Sequence, residues 1–563
     1  MKEVEIMAQY QLWLDKSNEE IVRELLDISQ DESMIEDAFY RDLTFGTGGL
    51  RGIIGAGTNR MNIHTVAKAS KGLANYVNMN FPKSQRRIAV SYDSRIKSDL
   101  FAKVASGVFA ANDIEVFIYT ELMPTPCLSY AVRSLKCAAG IMVTASHNPS
   151  QYNGYKVYGA DGCQITENGA EKISEEIEKL DIFDDVNIMN FDEGRKLGKI
   201  HYIPEEIYLA YLEEVKKQSM IIDGLEINKN VSIVYTPFNG TGLKPVLRTL
   251  QESGYKDIIV VKEQEQPDGN FPTCPYPNPE IKESMGLAIN YARNNNSDLL
   301  LATDPDCDRV GIAVKNSVGD YVLLSGNETG MLLLDYICAR RKENGTMPEK
   351  PVMLKTIVTI DMAERIAASY GVKTINVLTG FKFIGEQIAM MEAQGKEDSF
   401  LFGFEESYGY LSGSYVRDKD AVVGVFLICE MFAYYKTIGI NLLEKLNELY
   451  QIYGFCRNAL YSYEFAGPKG FDKMQKIMDA FRNGIISIGS KRVLNCLDYR
   501  SGLDGLPKAD VLKFLLEDNC SVVVRPSGTE PKLKTYISVS ARSEEEAATV
   551  EKILIEDLKM YFL

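Results

Sequence analysis

Short runs of apolar and β-branched residues alternate along this chain with stretches whose apolar positions recur at helical spacing. The runs Arg87–Ser91, Glu115–Tyr119 and Ala138–Val143 predict a first set of strands. Val231–Tyr235, Ile258–Val261 and Asp298–Ala302 predict a second set, and Val352–Thr356, Thr374–Val377 and Phe400–Phe402 a third. Strands separated by helices imply α/β units with mostly parallel sheets. Near the start, Ser17 and Glu20 form a capping-box pattern ahead of Ile21, Val22, Leu25 and Leu26, which predicts an early helix. The last hundred residues differ: Ser521–Val524 and Thr535–Ser540 read as two strands flanking a turn, and Ser543 with Glu546 opens a final helix. The expected architecture is three tandem α/β domains with mixed, mostly parallel sheets, followed by a C-terminal α+β domain. Charged or polar connectors place the boundaries near 215, 326 and 453, giving segments 1–215, 216–326, 327–453 and 454–563. At roughly 150 residues per domain, 563 residues also predict about four.

Composition narrows the function. Lys and Arg total 62 against 78 Asp and Glu, a net charge of −16, which argues against nucleic acid as a partner. An anionic ligand must therefore be held by local clusters of Lys and Arg. The 45% apolar and 25% charged residues are an ordinary globular mixture, excluding disorder and fibrous repeats. Ten scattered cysteines with no Cys-x-x-Cys spacing read as free thiols in a reducing compartment. Met1-Lys2-Glu3-Val4-Glu5 lacks the signature of a signal peptide, and the apolar run Ala421–Cys429 is too short to span a bilayer. These features predict a soluble, cytoplasmic protein without a membrane partner.

Four segments carry chemistry. Asp304-Pro305-Asp306-Cys307-Asp308-Arg309 follows the apolar run 299–302. Carboxylates at alternate positions of an extended loop point to one side, so Asp304, Asp306 and Asp308 can converge on a hard cation such as Mg²⁺. An EF-hand is excluded, because its sixth position would be Arg309 and its twelfth Lys315. The bland alternative is a solvated acidic turn. Thr144-Ala145-Ser146-His147-Asn148-Pro149 also follows a strand and precedes Lys156. It is no hydrolase elbow, since Gly would be needed at 144 and 148. Adjacent Ser and His diverge in an extended chain, which argues against a simple Ser146–His147 base pair. A serine near a metal can instead carry a phosphoryl group, with Lys156 or His147 managing protons; the competing reading is a polar capping turn.

Arg525-Pro526-Ser527-Gly528-Thr529-Glu530-Pro531-Lys532 combines a guanidinium fork, hydroxyls and a glycine, which suits a phosphate dianion better than a plain hairpin. Gly403-Phe404-Glu405-Glu406-Ser407-Tyr408-Gly409 sets carboxylates and a hydroxyl where polyol hydroxyls could be read. Thr379-Gly380-Phe381-Lys382 and Arg417-Asp418-Lys419-Asp420 are phosphate-holding loops or only turns. The glycine-rich Gly46–Gly52 is not a dinucleotide fingerprint, because Arg51 replaces the third glycine, and no Walker Gly-Lys-Ser/Thr occurs in the chain.

Together, Thr144–Pro149, Asp304–Arg309, Gly403–Gly409 and Arg525–Lys532 resemble the four signature loops of the α-D-phosphohexomutases, over nearly the whole chain. Gly46–Gly52, Thr379–Gly385, Arg417–Ala421 and the Glu405-Glu406-Ser407 sequence are most similar to the phosphoglucomutase branch. The resemblance implies four domains around a central cleft and an isomerase passing a phosphoryl group through Ser146. It implies Mg²⁺ at Asp304, Asp306, Asp308 and the serine oxygen, and glucose 1,6-bisphosphate as activator and intermediate. Lys156 is the implied acid/base, supported by His147, and Arg51 and Arg309 the implied stabilisers of the moving phosphoryl group. Glu405 and Ser407 would hold sugar hydroxyls. Thr379, Gly380, Lys382, Lys419, Arg525, Ser527, Gly528 and Thr529 would complete the substrate contacts. The implied partners are small sugar phosphates, and the implied assembly is a monomer or weak homo-oligomer. Pentose or mannose phosphates, a phosphatase using the same loops, a phosphohistidine at 147, and an inactive sugar-phosphate-binding protein are the alternatives.

Overall fold

The first sheet is built from β1 (Leu50–Ile53), β2 (Arg87–Tyr92), β3 (Glu115–Ile118), β4 (Ala139–Val143), β5 (Tyr152–Gly159) and β6 (Ile200–Tyr202), in the order β1-β5-β4-β2-β3-β6. β4, β2, β3 and β6 run parallel, whereas β1 and β5 add antiparallel at one edge. The second sheet holds β7 (Ile233–Thr236), β8 (Ile258–Val260), β9 (Leu299–Thr303), β10 (Val310–Lys315) and β11 (Tyr321–Leu324), ordered β11-β10-β9-β7-β8. The third holds β12 (Val352–Thr356), β13 (Lys373–Val377), β14 (Phe400–Phe404) and β15 (Tyr410–Ser412), ordered β13-β12-β14-β15. Each has parallel central pairs and an antiparallel edge. The fourth sheet is wholly antiparallel: β16 (Phe455–Glu464), β17 (Ser487–Ile488), β18 (Lys491–Asp498), β19 (Leu512–Leu516), β20 (Ser521–Pro526) and β21 (Lys532–Ala541), ordered β16-β21-β20-β19-β18-β17. This computed structural model describes residues 3–562 apart from 47, 223, 466, 504 and 527–531.

The burial pattern explains the difference between sheets. Every residue of β4 and β9 is buried, as expected of parallel strands covered by helices on both faces. β16 alternates between half-buried and exposed positions along its second half, as in a sheet with one open face. A single apolar core runs from Met142 through Leu301 and Leu354 to Val523, tying the first three modules together and reaching the fourth. The helix Ala421–Thr437 is buried along most of its length within that core. Asp420 caps it, accepting from Val422 N at 2.8 Å and Val423 N at 3.1 Å. No single helix among the described residues is long and apolar enough to cross a membrane. All ten cysteines are free, and eight are buried.

Ahead of the first sheet, helices Glu3–Lys16, Glu19–Asp27 and Glu32–Phe39 gather around the fully buried Trp13. Here the expected capping box is corrected. Asn18, not Ser17, caps the second helix and accepts from Ile21 N at 3.0 Å, while Ser17 Oγ is buried without a hydrogen-bond partner. Asn is as good a cap as Ser, and the chain enters the helix one residue later than the Ser-x-x-Glu pattern suggests. At the other end Ser543 does cap, accepting from Glu546 N at 3.2 Å; Glu546 reaches back to Arg542 N at 2.9 Å.

Candidate active site

The serine, aspartate, Thr379–Lys382 and Gly403–Gly409 loops leave the carboxyl ends of β4, β9, β13 and β14, where open α/β sheets bind ligands. Ser146 follows β4 with φ of 52°, a left-handed backbone that a serine adopts only under constraint. Its N–H donates to Thr144 Oγ1 at 2.8 Å, and Thr144 Oγ1 donates to Asp93 Oδ2 at 2.6 Å. The hydroxyl donates to Asp304 Oδ2 at 2.9 Å and lies 3.3 Å from His147 Nδ1. The expectation that Ser146 and His147 diverge therefore fails, because the left-handed turn at Ser146 replaces the extended backbone on which it rested. Gly154 on β5 makes room for this loop: a Cβ there would stand 2.4 Å from Thr144 O. Arg51 on β1, opposite Gly154 in the ladder, donates to Asn148 Oδ1 at 3.1 Å and so joins the serine loop.

The three aspartates converge, but through a turn instead of an extended segment. Cys307 N donates to Asp304 O at 2.9 Å, and Cys307 takes a φ of 51°. Asp308 N and Arg309 N both donate to Asp304 Oδ1, at 3.1 and 3.0 Å. One oxygen from each of the three carboxylates lies within 4.8 Å of the others, and all three residues are fully buried. Asp306 Oδ1 and Asp308 Oδ1 are buried without hydrogen bonds, while Asp308 Oδ2 is ion-paired with Lys419. Orphaned anionic oxygens in a buried triad are the donor set of a hard divalent cation.

Cations surround the triad. Lys156 Nζ donates to Asp306 Oδ2 at 2.8 Å and sits 3.6 Å from Asp308 Oδ2. Lys419 Nζ is 2.8 Å from Asp308 Oδ2 and 3.3 Å from Asp418 Oδ1. Burial, then the charges of Asp306 and Asp308, push Asp304 well above the usual carboxylate range. Burial opposes ionisation of Asp306 too, but Lys156 and Lys419 outweigh it and hold that carboxyl below its ordinary value. Burial and the neighbouring Arg309 and Arg51 charges drive His147 well below an ordinary imidazole, so it is neutral at pH 7.

Arg309 lies 3.8 Å from Asp308 Oδ1 and is anchored by Glu280 at 2.7 Å. On the third module, Glu405 Oε1 accepts from Gly380 N at 3.0 Å, joining the sugar-type loop to the Thr379–Lys382 turn. Burial, opposed by Lys419 and reinforced by Glu406, pushes Glu405 up to about 7. Gly380 has φ of 119° at the start of helix Phe381–Ala393, which only glycine takes without strain. Thr379 Oγ1 is buried without a partner, and burial lowers the half-buried Lys382 ammonium. Ser407 is half-buried in the same loop. On the fourth module, Arg525 pairs with Lys534 in the β20–β21 ladder and its Nε has no hydrogen bond. Ser527, Gly528 and Thr529 lie outside the described residues.

Several site-building residues carried no recognised signal. Asp93 and Arg95 brace the serine loop, Thr125 donates to Asp306 Oδ2 at 3.3 Å, and Glu280 holds Arg309. An acid–base pair directly after strand β2 was the available clue to the first two. Arg417 is fully buried and binds Glu392 at 2.6 Å within the third module, while its backbone N–H donates to Ser129 Oγ of the first module at 3.0 Å.

The chain matches the models of all four domains described as phosphoglucomutase/phosphomannomutase: alpha/beta/alpha domain I over residues 42–182, domain II over 209–319, domain III over 325–453, and the C-terminal domain over 466–556. A phosphoglucomutase of Staphylococcus saprophyticus is 36% identical over 549 residues, covering 95% of this chain and 97% of that protein. The open form of the phosphoglucomutase parafusin from Paramecium shares the fold with a TM-score of 0.70 at 17% identity, covering 93% of this chain and 96% of that one. An N-acetylphosphoglucosamine mutase of Aspergillus fumigatus, solved with GlcNAc-6P and magnesium, has a TM-score of 0.52 at 15% identity, covering 97% of this chain and all of that one. With four matched domains in order and the serine loop seated on the aspartate triad, the chain belongs to the phosphoglucomutase/phosphomannomutase family.

Proposed function

We propose that this protein is a phosphoglucomutase, interconverting glucose 1-phosphate and glucose 6-phosphate through phospho-Ser146 and glucose 1,6-bisphosphate. The observation that carries the reading is the Ser146 hydroxyl, 2.9 Å from Asp304 and 3.3 Å from a neutral His147. The family models take in phosphomannomutases as well, and it is the phosphoglucomutase relative that supports glucose phosphates over other sugar phosphates.

Asp304, Asp306, Asp308 and the Ser146 oxygen would hold Mg²⁺, which the orphaned carboxylate oxygens fit. Bound there, the cation would neutralise phosphoryl oxygens in a loose transition state. Arg51 and Arg309 add fixed positive charge to the same oxygens. In the first transfer the P–Oγ bond of phospho-Ser146 breaks as a P–O bond forms to the free sugar hydroxyl. That hydroxyl's proton ends on Ser146 Oγ, with Lys156 and His147 as the acid/base groups beside it. The bisphosphate then turns end for end, and the reverse step returns the other phosphate to the serine. Glu405 and Ser407 read sugar hydroxyls. Thr379, Gly380, Lys382, Arg525, Ser527, Gly528 and Thr529 grip the phosphate that is not reacting, and Lys419, paired with Asp308, makes its substrate contact beside the triad. The segments 1–215, 216–326, 327–453 and 454–563 serve as the serine, metal, sugar and phosphate modules.

Comparing turnover of glucose 1-phosphate, mannose 1-phosphate and ribose 1-phosphate by one preparation, primed with glucose 1,6-bisphosphate, tests the assignment. Preference for glucose 1-phosphate is expected; a strong preference for ribose 1-phosphate overturns it.

A further inference from the structure

Ser146 needs something to hold it in a left-handed conformation, and the fold supplies a buried cation that the phosphoryl chemistry does not touch. Arg95 follows β2, and its side chain has no exposed surface. Its Nη2 donates to Ser146 O and Asn148 O, both at 2.5 Å, and its Nη1 donates to Pro149 O at 2.9 Å and Tyr152 O at 3.0 Å. One guanidinium thus gathers four carbonyls from the serine loop and the start of β5. Asp93 completes the device: its Oδ2 lies 3.4 Å from Arg95 Nε and accepts from Thr144 Oγ1, which in turn accepts from Ser146 N. Its Oδ1 accepts from Arg95 N at 2.9 Å and Ser98 Oγ at 2.8 Å. Both the N–H and the C=O of Ser146 are therefore held by the Asp93–Arg95 pair.

The second module reaches the same arginine. Phe271 lies under the guanidinium, 5.1 Å from ring centroid to Cζ, and Gly269 packs so closely that a Cβ would stand 2.4 Å from Ile96 N. The aspartate triad belongs to the second module and the serine to the first. A residue that grips the serine loop and is stacked by the second module sets the register between them. Burying a cation is costly unless its donors are used, and only a planar fork with several fixed donors can serve these four carbonyls together.

We infer that Arg95, braced by Asp93 and Phe271, is a positioning residue that fixes the Ser146 backbone and so aims its oxygen at the aspartate triad and the transferring phosphoryl group. The inference rests on Ser146 as the phosphoryl carrier. Arg95→Lys keeps the charge but loses the fork, so the serine oxygen moves off line while the contacts to sugar and distal phosphate stay. Displacement of about 1 Å at a reacting atom costs about a hundredfold in rate.

The test uses the full-length protein with Arg95→Lys and, should that variant fold poorly, Phe271→Leu, which removes the stacking but no hydrogen bond. Expected are a kcat about a hundredfold lower for Arg95→Lys and several-fold lower for Phe271→Leu, with KM for glucose 1-phosphate within about threefold of wild type. Phosphorylation of Ser146 by glucose 1,6-bisphosphate, followed by mass spectrometry, slows in parallel. In Arg95→Ala, added guanidinium ion at concentrations that leave the protein folded restores part of the rate. If wild type takes phosphate on Ser146 while folded variants keep kcat within twofold, the positioning role is overturned. If wild type takes none there, the serine assignment itself fails.

Discussion

Replacing Lys156 by Met separates the electrostatic work of this lysine from its chemical role. Nζ lies 2.8 Å from Asp306 Oδ2 and 3.6 Å from Asp308 Oδ2, with the side chain 9% exposed and both aspartates fully buried. With an effective dielectric of about 20, the closer contact is worth about 6 kcal/mol of gross attraction and the farther one about 4.6 kcal/mol. Desolvation offsets most of that, and removing one partner of a buried pair costs about 3–5 kcal/mol net. In Lys156→Met the cations left nearest the triad among the described residues are Lys419 and Arg309. Urea melts in a chelator should therefore show the variant about 3–5 kcal/mol less stable than wild type. A divalent cation that binds only the folded state at a hundredfold excess over its dissociation constant adds about 2.7 kcal/mol. With its cationic competitor gone, the triad binds the ion more tightly, so added Mg²⁺ should stabilise the variant more than wild type. Activity stays low even when stability returns, because loss of an acid/base group costs about 10²–10⁴-fold. A loss below about 1 kcal/mol in chelator, with equal gains from Mg²⁺ in both proteins, would refute the reasoning.

Two further outcomes follow from other buried charges. Glu405 rises from 4.5 to about 7 on folding, so the folded state holds its proton more tightly than the unfolded chain. Its contribution is complete below about pH 4.5 and is lost as pH climbs to 7, a decline of about 3 kcal/mol that Glu405→Gln should remove when chelated protein is melted at pH 5 and pH 7.5. Asp361 joins the third and fourth modules, meeting Lys513 Nζ at 2.7 Å, Ser521 Oγ at 2.7 Å and Lys355 Nζ at 3.0 Å. Asp361→Ala strands the buried Lys513 and leaves Lys355 to Glu364 at 3.0 Å, which should cost about 3–5 kcal/mol by urea melting and speed proteolysis at the short connector around Gly454, between the last helix of the third module and β16; an unchanged cleavage rate would count against that docking role.

The strands were the most legible part of the chain. Val352–Thr356 is reproduced residue for residue, and Arg87–Ser91 is short by only Tyr92, because apolar runs covered on both faces announce themselves locally. The early helix was visible from Ile21 and Leu25, but the three-helix cluster around Trp13 was not, since its closure depends on Phe39 and Phe183 from distant positions. The aspartate and serine loops were legible as residue types, yet their geometry was misread. Extended-chain reasoning placed the aspartates in a row and parted Ser146 from His147, whereas left-handed residues at Cys307 and Ser146 fold both loops sharply. Nothing local announces a left-handed Ser146, because its cost is met by long-range partners such as Asp93 and Arg95. Thr125 escaped for the same reason, and so did the pairing of Lys419 with Asp308, both side chains being brought to the triad by modules far apart in sequence.

The most direct measurement is intact-protein mass spectrometry with peptide mapping after incubation with glucose 1,6-bisphosphate, read beside the isomerisation rate of Ser146→Ala. One acid-stable phosphoryl group on the peptide containing Ser146, and a variant that neither takes phosphate nor turns over glucose 1-phosphate, is the predicted result. An acid-labile phosphoryl group on His147, or isomerisation at full speed without the serine, would contradict it.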